Sequence, residues 1–182
     1  MSSTIQEELN LDRDKTGPLG NLNNAVQILE HDPHLKRIVW FDEFLKKIMT
    51  GNPPREWRDA DDISLTLYMQ RDIGIARMDR GIVAQAVISI AFRDIRNCVR
   101  NWLESLQWDQ EPRIKHFFED HFGAAVTPYT RAASKNFWLS IVARIYRPGC
   151  KVDNMIILEG EQGTRKGTAL QIIVGDWFTE QH

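Results

Sequence analysis

Apolar residues recur at helical spacing along most of the chain before residue 148. The clearest segment begins at Asp79, a residue type that favours the cap position before a helix. A second begins at Thr127, where a capping hydroxyl precedes proline at the first helical position, and it continues to about Tyr146. The apolar residues on one face of the first segment are Ile82, Val83, Ala86, Val87, Ile90 and Ala91. These spacings predict a mainly helical fold.

Shorter elements are predicted nearer the start of the chain. A helix begins at Asn21 and ends before Pro33, because proline excludes helical geometry from the residue before it. The aromatic and β-branched stretch at 38–41 indicates a strand or an extended segment, with a small hairpin as a further option. The stretch 1–20 is polar and contains glycines and a proline, so it predicts a disordered tail.

The end of the chain predicts a different kind of structure. Four apolar residues at 155–158 indicate a short buried strand, a glycine-bearing turn follows, and a helix-forming run ends near Val174. This order is typical of a phosphate-binding loop, in which backbone N–H groups and a helix N-terminus surround a polyphosphate. The predicted fold is therefore a helical domain at 21–147, followed at 148–182 by the first strand, P-loop and helix of an incomplete α/β P-loop NTPase core.

The loop matches the phosphate-binding pattern G-x-x-x-x-G-K-[ST] only in part. Gly160 and Lys166 take the first glycine and the lysine, whereas Arg165 stands at the second glycine and Gly167 at the Ser/Thr position. A side chain at 165 is hard to fit beside a phosphate. Position 167 lacks the hydroxyl that ligates Mg²⁺, although Thr168 carries one a residue later. The alternative interpretation is an ordinary strand-to-helix turn with a solvated lysine.

Three stretches around this loop resemble the virulence-associated protein E family. They read RPGCKVD at 147–153, LEGEQG at 158–163 and WDQEPR at 108–113. This is a P-loop ATPase family of phages, plasmids and pathogenicity islands, similar to the superfamily 3 helicases and often part of primase–helicase proteins. The resemblance covers roughly residues 21–178. The family expects glycine at 110 and 165 and serine or threonine at 167, where this chain has Gln110, Arg165 and Gly167.

The resemblance implies the N-terminal portion of a mobile-element ATPase involved in DNA replication. It implies ATP and Mg²⁺ as cofactors and DNA as a partner, and it leaves room for a homo-oligomer. Because few residues follow Lys166, the acidic motif of a later strand is expected to be missing, and with the departures at 165 and 167 we expect impaired hydrolysis. No catalytic residue is therefore assigned. The nucleotide-binding residues that the resemblance implies are Gly160, Gln162, Gly163, Thr164, Lys166 and Thr168.

A basic stripe is the candidate surface for nucleic acid. The polar side of the helix that begins at Asp79 continues into Arg93, Arg96 and Arg100, which form one row if the helix extends that far. Asn97 offers the alternative of a cap for a new helix, which would split the row. Arginines on an exposed face are also often merely solvated. A non-catalytic nucleic-acid or protein interaction module with a degenerate P-loop is the alternative function.

The composition and net charge of the chain bear on its contact with nucleic acid and on its location in the cell. The formal net charge is −2, so contact with nucleic acid needs a local basic patch. Cys98 and Cys150 give no disulfide framework, the start has no signal-peptide pattern, and no apolar run is long enough to span a membrane. We therefore expect a cytoplasmic protein without membrane contact. The acidic residues Asp59, Asp61 and Asp62 favour a helix start over a metal site.

Overall fold

The computed structural model describes residues 9–177, except for the side chain of Asp176. The first eight residues of the predicted tail, and residues 178–182 of the predicted P-loop segment, lie outside the described residues. The chain divides into two compact units, Met1–Gln107 and Trp108–His182. The predicted domain boundaries, after residues 20 and 147, differ from this division and stay predictions.

About half of the described residues are helical, in seven α-helices. The first unit contains α1 (Leu22–His31), α2 (Asp59–Arg71), α3 (Arg80–Ala91) and α4 (Cys98–Ser105). The second contains α5 (Phe117–Phe122), α6 (Pro128–Tyr146) and α7 (Lys166–Val174), with 3-10 turns at Arg113–His116 and Gly175–Trp177. The mainly helical prediction is confirmed in part, since the first unit also carries small mixed sheets.

Six short strands form two sheets in the described part of the first unit. They are β1 (Arg13–Asp14), β2 (Gly17–Pro18), β3 (Val39–Asp42), β4 (Lys47–Thr50), β5 (Arg55–Glu56) and β6 (Ile95–Arg96). The first two form an antiparallel pair, and the larger sheet has the order β5-β4-β3-β6. Strand β3 runs antiparallel to β4 and parallel to β6. The extended segment predicted at 38–41 is confirmed as β3, and the hairpin option as the β3–β4 pair.

Local capping explains where two of the predicted helices begin. A carboxylate oxygen of Asp79 accepts a hydrogen bond from the amide of Gly81 at 2.7 Å, at the start of α3. The hydroxyl of Thr127 accepts one from the amide of Thr130 at 3.0 Å, at the start of α6. Each bond satisfies an N–H group for which the first helical turn has no partner. Both predicted caps are confirmed.

The core of the first unit is built largely by α1 and α3. The predicted face of α3 is buried, apart from Ile82, which is half-buried against the core. Leu9 and Leu11 lie within the stretch predicted as a tail, and their side chains are buried in the same core. The most deeply buried large apolar side chains are Ile28, Leu29, Val39, Met69, Ile73, Ile75, Val83 and Val87.

Aromatic packing and one acidic side chain join α5 to α6 in the second unit. The ring centroids of Phe117 and Phe137 lie 6.1 Å apart in a stacked arrangement. The carboxylate of Glu119 accepts hydrogen bonds from His116 at 2.8 Å and from Arg131 at 3.1 Å. These two bonds, that from His116 first, lower the pKa of Glu119 below its usual value. The first half of α5 and the first half of α6 are thereby held together.

The strand predicted at 155–158 is not formed, because residues 151–160 have no regular secondary structure. Met155 is 79% exposed and Ile157 is 70% exposed. No backbone hydrogen bond joins residues 155–158 to any other residue within 9–177. A strand needs a neighbouring strand for its N–H and C=O groups and a surface that covers its apolar face. The described residues supply no neighbouring strand to this segment, and they cover it only in part, since Ile156 and Leu158 are half-buried.

Candidate functional site

The loop before α7 turns sharply into the helix. Arg165 immediately precedes the helix with φ 60° and ψ 28°, and Gly163 has φ 87°. Both residues therefore have left-handed backbone conformations, which reverse the chain within a few residues. Arg165 gives the first turn of α7 no side-chain cap. The helix N-terminus, with its positive end of the dipole, thus stays available to an anion.

The ammonium group of Lys166 points back into this loop. Its Nζ donates to the carbonyl oxygens of Gly160 and Glu161, both at 2.9 Å, and to the hydroxyl of Thr164 at 3.2 Å. The Thr164 hydroxyl in turn donates to the carbonyl of Glu161 at 2.9 Å. A lysine ammonium has three N–H donors, and all its acceptors here are neutral. Its positive charge is not balanced by any carboxylate among the side chains that the structure describes.

Two departures from the family pattern fall where the backbone is left-handed. Gln110 has φ 73° and Arg165 has φ 60°. A residue with a Cβ loses about 1–2 kcal/mol in this conformation, whereas glycine adopts it readily. The backbone of this chain thus gives a physical reason for the glycines that the family resemblance implies at both positions.

The third departure, Gly167, has a different character. A Cβ atom added there would meet no atom within 4 Å, so a serine would fit without moving its neighbours. The hydroxyl is therefore missing only because residue 167 is glycine, since the packing around the site leaves room for a serine side chain. Thr168 is exposed in the first turn of α7.

A cavity of about 690 Å³ lies beside the loop, within the second unit. One wall is formed by residues 155–160 and by the start of α7, including Lys166. The opposite wall is formed by the end of α5 and the first turns of α6 through Phe118, His121, Phe122, Tyr129, Thr130 and Ala133. Small-molecule sites in proteins have volumes of roughly 300–1,000 Å³. The loop lysine therefore faces a space that suits a small-molecule ligand.

The structure brings half of the implied nucleotide-binding residues to this cavity. The residues that line it are Gly160, Thr164 and Lys166. The residues that are exposed and lie outside its lining are Gln162, Gly163 and Thr168. The aromatic wall with Tyr129 was not found from the sequence, because no spacing rule links the start of one helix to a loop much later in the chain.

The three arginines of the predicted stripe lie on different elements. Helix α3 ends at Ala91, so Arg93 lies in the following turn, Arg96 in β6 and Arg100 in α4. Asn97 caps α4 by accepting a hydrogen bond from the amide of Arg100 at 2.9 Å. The continuous helical row is therefore wrong, and the alternative of a new helix at Asn97 is confirmed.

Each of these arginines also lies close to an acidic side chain. The pairs are Arg93 with Glu30, Arg96 with Asp94 at 2.6 Å, and Arg100 with Glu43 at 3.7 Å. The hydrogen bond from Arg96 lowers the pKa of Asp94. The guanidinium of Arg96 also lies 4.2 Å from the ring centroid of Trp40. These pairs offset much of the positive charge, and binding of nucleic acid at this surface stays a prediction.

The loop offers different groups to a phosphate and to a metal ion. Within residues 9–177, no group of three or more His, Cys, Asp or Glu side chains could hold a metal ion. Gly167 supplies no hydroxyl to Mg²⁺ in the position that the pattern requires. Lys166, by contrast, supplies the point charge that a polyphosphate needs.

Comparison with known proteins bears on the second unit. No curated protein matches the chain. Within residues 9–177, no helix has both the length and the apolar character needed to cross a membrane. The family model of the virulence-associated protein E-like domain matches residues 103–182, and this match indicates a protein associated with mobile elements. The resemblance before residue 103 stays a prediction. The chain therefore carries a virulence-associated protein E-like domain at residues 103–182.

Proposed function

We propose that the second unit binds the phosphates of a nucleoside triphosphate at the loop before α7. One observation carries this proposal: the ammonium of Lys166, at the N-terminus of α7, donates hydrogen bonds only to neutral acceptors. A phosphate oxygen offers the ammonium a charged acceptor, and charge-assisted hydrogen bonds are about twice as strong as neutral ones. It is therefore favourable for Lys166 to exchange its hydrogen bonds to the loop carbonyls for hydrogen bonds to phosphate oxygens.

The wider role that we propose follows from the family. In this proposal the chain belongs to a mobile-element P-loop ATPase of DNA replication, which works with ATP and Mg²⁺ on DNA, as a homo-oligomer. The match at 103–182 and the partial loop pattern at Gly160 and Lys166 support it.

Hydrolysis is expected to be impaired in this chain. Phosphoryl transfer is catalysed by a positioned Mg²⁺ and by groups that stabilise charge on the transferring phosphoryl. Gly167 removes the loop hydroxyl that would ligate the metal, and Arg165 places a side chain where the backbone passes closest to phosphate. Both changes act on the reacting end of the nucleotide and leave Lys166 in place.

Binding of a fluorescent ATP analogue, with and without Mg²⁺, tests this proposal. We expect weak binding by the chain, at least about tenfold weaker binding by Lys166→Ala, and little dependence on Mg²⁺. Lys135→Ala is the matched control, because Lys135 is an exposed lysine of α6 outside the cavity lining. The double substitution Arg165→Gly and Gly167→Ser should raise the affinity for Mg·ATP.

Two outcomes would count against the proposal. Equal affinity in the chain and in Lys166→Ala would show that the loop does not bind phosphate. Hydrolysis at several turnovers per second, lost in Lys166→Ala, would show that the two departures do not impair catalysis.

A non-catalytic interaction module is the second candidate function. The observation that favours it is the set of large apolar side chains left exposed in the second unit, such as Met155, Ile157 and Ile172. Exposed apolar surface of this kind often marks a protein contact. This candidate predicts no specific ATP binding, so the same titration separates the two functions.

A further inference from the structure

The cavity beside the loop has two chemically different ends. Lys166, Arg165 and Thr164 line it at the loop, where their positively charged and polar groups suit phosphates, and the acidic residue Glu159 also lines this part. His121, Phe122 and Tyr129 line the other side, where the groups are aromatic. A ligand that fills both ends needs a polyanion joined to a flat, uncharged ring. A nucleoside triphosphate has this composition, whereas inorganic polyphosphate lacks the ring.

We propose that Tyr129 is the nucleobase platform of this site, and that the chain therefore distinguishes a nucleoside triphosphate from polyphosphate alone. The inference rests on the proposed function, since it requires the phosphates to lie at Lys166. It assigns to the start of α6 a role in ligand recognition that the loop pattern does not contain.

The environment of Tyr129 supports this assignment. Its side chain is 82% exposed although it belongs to a cavity wall, so its ring face is available to a ligand. The residue follows Pro128 in the first turn of α6, which the Thr127 cap holds in helical geometry. The backbone under the ring is thus fixed, and most of the ring surface is left uncovered by other described residues. Stacking of a base on an aromatic side chain tolerates any base identity, because every base has a π-face.

Phe122, which also lines the cavity, has a different role. The ring of Phe122 lies 5.5 Å from that of Phe117 and 5.6 Å from that of Phe118. These contacts anchor Phe122 in the aromatic packing of the second unit, so it forms a fixed back wall. Substitution of Phe122 would disturb this packing as well as the cavity. Tyr129 is therefore the better residue for a test.

The test compares ATP with tripolyphosphate by isothermal titration calorimetry on the full chain. We expect ATP to bind more tightly than tripolyphosphate. In Tyr129→Ala, the affinity for ATP should fall about tenfold, while that for tripolyphosphate should change less than about twofold. Tyr129→Phe, which keeps the ring, should bind ATP as the unchanged chain does. Tyr146→Ala is the matched control, because Tyr146 lies at the other end of the same helix and outside the cavity lining.

The outcomes separate this inference from the proposed function. If ATP and tripolyphosphate bind equally well, or if Tyr129→Ala weakens both alike, the nucleobase platform is wrong while phosphate binding at the loop stands. If neither ligand binds the unchanged chain, the proposed function itself fails. The first comparison uses no variant, so equal binding of ATP and tripolyphosphate overturns the inference even if Tyr129→Ala does not fold.

Discussion

Helix α3 and the segment 155–158 both carry apolar residues in a regular pattern, yet only one of them is buried. Val83 and Val87 of α3 are almost completely inaccessible, whereas Met155 and Ile157 are largely exposed. A helix satisfies its backbone hydrogen bonds within itself, and α3 also has α1 to cover its apolar face. A strand depends on neighbours for both requirements. An apolar sequence pattern is therefore buried in one region and left largely exposed in the other, depending on whether a neighbouring element covers it.

The largest expected effect of this difference is in hydrogen exchange. The amides of Val87 and Ile90 should exchange only when the first unit unfolds, with a free energy of opening on the order of 5–15 kcal/mol. The amides of Ile156 and Ile157 should exchange almost as fast as in an unfolded chain, because they donate to no other described residue. Exchange measured by NMR or mass spectrometry checks both regions at once. Equal protection at the two sites would mean that the segment has found a partner strand.

Substitution of isoleucine by alanine should also lower stability more in the buried core than in the segment 155–158. This difference in the free energy of unfolding is smaller than the difference in hydrogen exchange. Ile28 is fully buried in α1, and Ile28→Ala should lower the free energy of unfolding by about 2–5 kcal/mol through lost burial and a cavity. Ile157→Ala removes the same atoms from a residue that is 70% exposed and should change stability by less than about 0.5 kcal/mol.

Ile88→Ala provides the matched control within a helix, because Ile88 belongs to α3 but is 50% exposed. Urea denaturation followed by circular dichroism measures all three variants. A loss for Ile157→Ala as large as that for Ile28→Ala would contradict the contrast between the two regions.

The sequence predicts those features that depend on nearby residues. The caps at Asp79 and Thr127, the buried face of α3 and the helix after the loop lysine all follow from short spacings. The burial of Leu9 and Leu11, the pairing of Arg93 with Glu30 and the aromatic wall of the cavity do not. Each of these depends on residues far apart in the chain, which no local pattern relates. The loop lysine was therefore predictable, and the shape of its site was not.

The two non-glycine residues of the second unit that have a left-handed backbone show where sequence and backbone disagree. Among the described residues, non-glycine residues with positive φ are Arg37, Lys46, Gln110 and Arg165. Two of these, Gln110 and Arg165, stand where the family resemblance implies glycine. At both positions the backbone thus has a conformation that the side chain opposes. Substitution by glycine at either position should therefore relieve the unfavourable backbone conformation.

Arg165→Gly should consequently stabilise the second unit, and this is the smallest of the expected effects. Relief of the left-handed conformation gains about 1–2 kcal/mol, and the greater freedom of glycine in the unfolded chain returns about 0.5–1 kcal/mol of it. A net gain of up to about 1.5 kcal/mol remains, seen as slower hydrogen exchange in α7. Arg165→Ala is the control, since it removes the same charge but keeps a Cβ at φ 60°. An equal gain in both variants would assign the effect to the lost arginine side chain, and the left-handed backbone would then have no part in it.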